Sequence, residues 1–131
     1  MMRVSGDDDV VIRGGILADP EALLEALEDS SDLGEGPVLS VWVGTPAEHK
    51  SLAACVRDVC LGADVRHGKV RLTTSKRLRD AGFELEHDTS DGQAESHFHV
   101  LFPDDPTMVE VNRFIDCFDD PIPNPAKENA Q

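Results

Sequence analysis

Tyrosine and positive charge are scarce in this sequence, and each shortage narrows the choice of function. The chain has no Tyr and a single Trp, so the aromatic platform on which single-stranded nucleic acid stacks is not expected. Lys and Arg number 12 against 26 Asp and Glu, which gives a formal net charge of −14. The electrostatic field of this negative charge repels phosphate and disfavours extended nucleic acid as a partner.

Membrane and export signals are also missing. No apolar run reaches the ~18 residues of a membrane span, and the first residues lack the apolar core of a signal peptide. Cys55, Cys60 and Cys117 contain no CxxC pair, and an odd number of cysteines is a poor disulfide framework. The first two lie in a predicted helix with their side chains about 140° apart. We therefore expect reduced thiols, no membrane association and a cytoplasmic location.

Apolar patterning predicts an α+β fold. The predicted strands cover residues 10–12, 38–43, 83–88 and 97–102. The predicted helices begin near residues 20, 46, 75 and 108. The simplest arrangement is a two-layer sandwich, in which three to four helices pack on one face of a mixed β-sheet. A C-terminal β-hairpin is expected to precede the last helix.

Two capping boxes, Thr45 to Glu48 and Thr107 to Glu110, predict where the second and last helices begin. We expect the apolar faces of these two helices to share one core against the strand at 38–43. The residues of these faces are Leu52, Val56, Val59, Met108, Val111, Ile115 and Phe118. Within this core, Ile115 is expected to be fully buried.

The two ends of the chain are predicted to lie outside the domain. Residues 1–9 are polar and are predicted to form a flexible acidic N-terminus. Residues 10–118 form the single α+β domain. Residues 119–131 contain several prolines and are predicted to form an extended, Pro-rich and partly disordered tail.

His97 and His99 are the strongest candidates for chemistry. Alternate residues on a strand share a face, so both imidazoles would point away from the core. A hairpin with its turn centred between residues 92 and 93 would place Asp88 opposite His97 and Glu86 opposite His99. Two imidazoles and two carboxylates suit a divalent metal such as zinc, or acid–base catalysis. The alternative is charge pairing on a solvated sheet face, and an HxH pattern alone does not separate the two.

Positive charge is concentrated in one segment, which we call the basic zone. Six of the 12 basic residues lie between positions 66 and 79, where there is no Asp or Glu: Arg66, Lys69, Arg71, Lys76, Arg77 and Arg79. The basic zone is a candidate anion-binding surface for phosphate, an acidic partner or an RNA loop. The structural alternative is that acidic neighbours neutralise it.

Common catalytic motifs are absent: there is no phosphate-binding loop, GxGxxG, GxSxG or HExxH. The sequence therefore favours a small acidic interaction or regulatory protein, without catalytic activity or cofactor, that docks on a basic protein partner. An inhibitor, immunity protein or antitoxin belongs to this class. The alternative is a small metal-dependent hydrolase or nuclease, in which His97 and His99 hold the metal and the basic zone binds phosphate.

Overall fold

An antiparallel sheet of six strands forms the centre of the computed structural model, which describes residues 5–15, 19–34 and 36–128. The strands are β1 (Val10–Gly14), β2 (Val38–Gly44), β3 (Lys69–Thr74), β4 (Glu84–His87), β5 (His97–Leu101) and β6 (Ile122–Pro123). They lie in the order β4-β5-β2-β1-β3-β6. The predicted α+β class is confirmed.

The prediction of a mixed sheet is wrong, because every strand pairing among the described residues is antiparallel. The reason is the position of β1, which lies between β2 and β3 and runs opposite to both. The connection from β2 to β3 crosses over β1 and makes these two strands parallel to each other. Since β1 separates them, they do not pair.

Five helices connect or follow the strands of the described chain. They are α1 (Pro20–Asp32), α2 (Leu52–Gly62), α3 (Ser75–Asp80), α4 (Met108–Asp116) and α5 (Pro125–Glu128). The capping box that begins α4 is confirmed: Thr107 Oγ1 accepts from Val109 N–H, and Thr107 N–H donates to the Glu110 carboxylate at 2.7 Å. Among the residues that the structure describes, no helix has the length and apolar character needed to cross a membrane.

The capping box predicted at Thr45 to Glu48 does not begin α2. Residues Pro46–Glu48 form a 3-10 turn, and His49 then has an extended backbone (φ −129°, ψ 170°) that interrupts the helix. The helix starts at Leu52, where Ser51 Oγ accepts from Ala54 N–H at 3.1 Å. A second hydroxyl residue therefore provides the cap six positions later than the pattern predicts.

Helices pack against both faces of the sheet, rather than against one face as the sequence predicts. The first core joins α1, α3 and α4 to the face that contains Val11, and the second joins α2 and α5 to the face that contains Val10 and Ile12. Alternation along β1 explains the division, because successive side chains point to opposite faces. The single core expected for the second and last helices is wrong, since Val56 and Val111 lie in different cores.

Both ends of the described chain contact the rest of the molecule. In the N-terminal segment, the Asp9 carbonyl accepts from Ser75 N–H at 3.1 Å. In the C-terminal segment, β6 pairs with β3, and the side chain of the buried Asn124 donates to the carbonyls of Val65 and His67. Residues 1–4 of the predicted flexible N-terminus and residues 129–131 of the predicted disordered tail lie outside the described residues.

Candidate functional site

The histidine-bearing strand β5 lies between β4 and β2, near one edge of the sheet. Glu86 lies opposite His99, and Asp88 N–H donates to the His97 carbonyl at 3.0 Å. These are the cross-strand neighbours that the sequence predicts. Phe98, between the two histidines, is fully buried in the first core. The histidines therefore project from the opposite face of the sheet.

Three of the four candidate side chains meet at the Asp88 carboxylate. Asp88 Oδ2 lies 2.8 Å from His97 Nδ1 and 3.5 Å from His99 Nε2. The side chains of Asp88 and His97 are each 8% exposed, and that of His99 is 16% exposed. One possible ligand atom from each of the three lies within 4.8 Å of the other two. Glu86, the fourth candidate, is exposed and lies outside this group.

Aromatic neighbours restrict the two imidazoles. The rings of His97 and His99 meet edge to face with their centroids 5.3 Å apart. The indole of Trp42, which lies opposite His97 on β2, is 6.1 Å from the His97 ring. Rings packed in this way lose little further freedom when they bind a ligand, so the group is preorganised.

The Asp88 carboxyl is held in its ionised form. Burial alone would raise its pKa, but hydrogen bonds from Ser90 and His97 and the charge on His99 outweigh burial and lower the pKa to about 2. Ser90 N–H donates to Oδ1 at 2.9 Å, which leaves Oδ2 directed at the histidines. The site thus combines a fixed negative charge with two imidazoles.

The three side chains line an open cleft of about 620 Å³, together with Arg13, Ser40 and Trp42. Arg13 Nη1 donates to the Ser40 carbonyl at 2.6 Å. Its Nε is buried and has no hydrogen-bond partner among the described residues. Burial also lowers the pKa of Arg13, because the charged guanidinium is removed from water.

Sequence analysis does not identify Arg13 as a functional residue. A lone Arg at the end of a short apolar strand has the pattern of a solvated side chain. In the structure, β1 pairs with β2 only as far as Ile12 but continues beside β3 to Gly14. Arg13 therefore lies just beyond the last β1–β2 pair. No local pattern reveals this position, because it depends on which strands become neighbours.

The basic zone is largely engaged with acidic groups and carbonyls of the same chain. Four of its side chains form ion pairs of 2.7–3.1 Å, which are Arg66–Asp64, Lys76–Asp80, Arg77–Asp119 and Arg79–Asp7. Arg71 donates to the backbone carbonyls of Phe118 and Asp119. These contacts agree with the structural alternative, neutralisation by acidic neighbours, while anion binding by the basic zone stays a prediction.

The basic zone and the histidines do not share a cleft. Strand β3, which begins in the basic zone, is separated from β5 by β1 and β2. Three interstrand spacings of ~4.8 Å correspond to ~14 Å across the sheet. None of the six basic-zone side chains lines the cleft that contains the histidines, so joint action of the two on one phosphate stays a prediction. Arg13 is the cation that lines the cleft.

The cysteines do not contribute chemistry to this site. Cys55, Cys60 and Cys117 are buried and free of disulfides. Burial raises the pKa of the Cys60 thiol to about 11 and also raises the pKa of Cys117. The nucleophilic thiolate is therefore disfavoured at neutral pH.

Two imidazoles and a carboxylate in a cleft can hold a metal ion or transfer a proton. No protein-family model, curated protein or solved structure matches this chain. The choice between these chemistries therefore rests on the spacing and surroundings of the three side chains.

Proposed function

We propose that Asp88, His97 and His99 bind a divalent transition-metal ion, with zinc preferred, and that the protein is a small metal-dependent hydrolase. The observation that carries the proposal is the convergence of three possible ligand atoms within 4.8 Å of one another. Imidazole nitrogen and carboxylate oxygen are ordinary zinc ligands. A reducing compartment such as the cytoplasm suits the three free cysteines.

Two of the three donor separations can be compared with those of tetrahedral coordination. Zinc bonds of ~2.0–2.1 Å place neighbouring ligand atoms ~3.4 Å apart. The 3.5 Å between Asp88 Oδ2 and His99 Nε2 already meets this requirement. The 2.8 Å between Asp88 Oδ2 and His97 Nδ1 must lengthen by ~0.6 Å to reach it.

Three protein ligands are typical of a catalytic zinc site, whereas structural sites have four. If zinc were bound, the fourth position would be open to water, and the metal would lower the pKa of that water and so supply a nucleophile for hydrolysis. Ser90 N–H supports this arrangement by holding Asp88 Oδ1 and leaving Oδ2 for the metal. The cleft gives a small substrate access to the group.

Calorimetric titration with zinc tests the metal site. We expect one ion to bind per chain, and the affinity to fall by ~100-fold or more in His99→Ala, because a ligand is lost. The matched control is His49→Ala, since His49 also contacts a carboxylate, that of Asp58 at 2.9 Å, but lies outside the three-residue group. Equal zinc affinities for the two variants would refute the site.

Hydrolysis is tested separately with p-nitrophenyl phosphate and p-nitrophenyl acetate, which represent phosphate and carboxylate esters. Zinc-dependent release of p-nitrophenol is expected from the wild type and from His49→Ala. It should be lost in His99→Ala. Zinc binding without turnover of either ester would contradict the hydrolase while leaving the metal site intact.

A second candidate function, docking on a basic protein partner, is favoured by the outer face of α1. Its carboxylates are exposed, and none has a basic nitrogen within 4 Å in the described part of the chain: Glu21, Glu25, Glu28, Asp29 and Asp32. Leu33, next to this face, is 78% exposed and offers an apolar contact. We propose that this surface would serve a non-catalytic regulatory role, as in an inhibitor, immunity protein or antitoxin.

Triple charge reversal tests this second function by affinity capture of a partner from the native cell. Reversal on α1 should abolish capture, and capture by the wild type should weaken above ~0.2 M salt, where the screening length falls below ~8 Å. The variant is Glu21→Lys/Glu25→Lys/Glu28→Lys, and the control is Asp91→Lys/Asp104→Lys/Asp120→Lys. Capture that is indifferent to salt and to reversal on α1 would place the contact elsewhere.

A further inference from the structure

We infer that the cleft recognises an oxyanion, a carboxylate or phosphate group of a small substrate, and that Arg13 is the residue that binds it. This inference deepens the proposed hydrolase by naming its substrate class, and it rests on that function only where catalysis is concerned. Binding of the anion by Arg13 needs no metal.

The guanidinium of Arg13 is only partly satisfied by the described chain. Ser40 accepts from Nη1, but Nε is buried without an acceptor among the described residues. No carboxylate of the described chain forms an ion pair with Arg13. A charge removed from water without a counterion is unfavourable. An anion that enters the cleft supplies the countercharge that the described chain does not provide.

The shape of the Arg13 side chain suits an oxyanion. The planar guanidinium of Arg presents parallel N–H groups that match the two oxygens of a carboxylate or phosphate. The hydrogen bond from Nη1 to Ser40 anchors one end of this group, so less side-chain freedom is lost when an anion binds. The site is thus specific for oxyanions rather than for negative charge in general.

Arg13 lines the same cleft as the residues that would hold the proposed metal. Ser40 lies directly opposite His99 in the β2–β5 pair, and its carbonyl accepts from Arg13. By strand alternation Arg13 starts on the face of Val11, but it reaches the cleft of the histidines where β1 has parted from β2 beyond Ile12. A small molecule can therefore place its anionic group at Arg13 and its scissile bond at the metal. The cleft volume of about 620 Å³ accommodates a ligand of this size.

NMR of metal-free protein, with ¹⁵N-labelled arginine, tests the inference without any activity measurement. Inorganic phosphate and acetate are titrated separately while the Nε–Hε resonances are followed. We expect a saturable shift of the Arg13 resonance with at least one of the two anions, and no saturable shift of Arg57, which is half-exposed on α2. An Arg13 resonance that does not respond to either anion would overturn the inference.

Two variants extend the test. Arg13→Lys keeps the charge but removes the planar fork, and we expect it to weaken binding of the responding anion by at least tenfold, while Arg57→Lys leaves it unchanged. His99→Ala should lose zinc binding but keep the anion response of Arg13. If anion binding instead disappears in His99→Ala and persists in Arg13→Lys, the anion is held by the histidines and the assignment to Arg13 is wrong.

Discussion

Asp88 should make the stability of the protein depend on pH in a narrow acidic range. Its pKa in the folded chain is about 2, against an ordinary value of 3.8. Because the folded pKa is the lower one, the ionised carboxylate stabilises the fold fully above the unfolded pKa, and this contribution is lost as pH falls through the folded pKa. A difference of ~1.8 units at ~1.36 kcal/mol each corresponds to about 2 kcal/mol at neutral pH. About half should remain at pH 3.

Urea unfolding of the wild type and Asp88→Asn, followed by circular dichroism between pH 7 and pH 3 with a chelator present, measures this contribution. The variant keeps the shape and one acceptor oxygen but removes the charge. The difference in unfolding free energy should be about 2 kcal/mol at pH 7 and should fall to about half that value at pH 3. Asp91→Asn, at an exposed position of the same loop, is the control and should show little difference at any pH. A difference for Asp88→Asn that stays constant with pH would refute the reasoning.

Three further predictions concern packing and are measured as free energies of unfolding. Phe114→Ala removes a fully buried side chain and should cost ~3–5 kcal/mol, whereas Val109→Ala, at a position 62% exposed on the same helix, should cost little. Gly44→Ala would place a methyl group 2.7 Å from two side chains of α2 and should cost ~1–3 kcal/mol, while Gly62→Ala has open space and should be neutral or stabilising. Asn124→Ala deprives two backbone carbonyls of their donor and should cost about 2 kcal/mol. Equal losses within either matched pair, or an unchanged stability for Asn124→Ala, would contradict the packing described.

Local patterns predict individual elements of this fold better than their arrangement. The Thr107 capping box depends on residues close in sequence, and it is confirmed. The amphipathic pattern of α2 shows that the helix buries one side, but not which face of the sheet it covers. Ile115 illustrates the same limit: it is only partly buried, because the neighbouring Phe114 occupies the fully buried position on α4. Strand order and face are set by contacts between distant segments.

The candidate site also combines residues that are close in sequence with one that is brought in by strand pairing. Asp88, His97 and His99 lie within twelve residues of one another, so strand alternation and one turn suffice to predict that they meet. Arg13 reaches the same cleft through the pairing of β1 with β2 and of β2 with β5. This chain of pairings has no signature near residue 13. The basic zone is visible in the sequence, yet two of its four ion-pair partners, Asp7 and Asp119, come from the two ends of the chain.

The two interpretations of the three-residue group differ in how they respond to pH. A structural ion pair needs an ionised Asp88 and is favoured by charged imidazoles, so it is strongest where the carboxylate has lost its proton and the histidines have kept theirs. A zinc site needs the same ionised carboxylate but neutral imidazoles, so zinc binding releases protons and is favoured as pH rises. Both interpretations need an ionised Asp88, so both predict that the interaction is lost at acidic pH. That loss therefore does not separate them. The increase in unfolding free energy on adding zinc does separate them. A zinc site predicts a larger increase at pH 8 than at pH 5.5, whereas a structural ion pair predicts no increase at either pH.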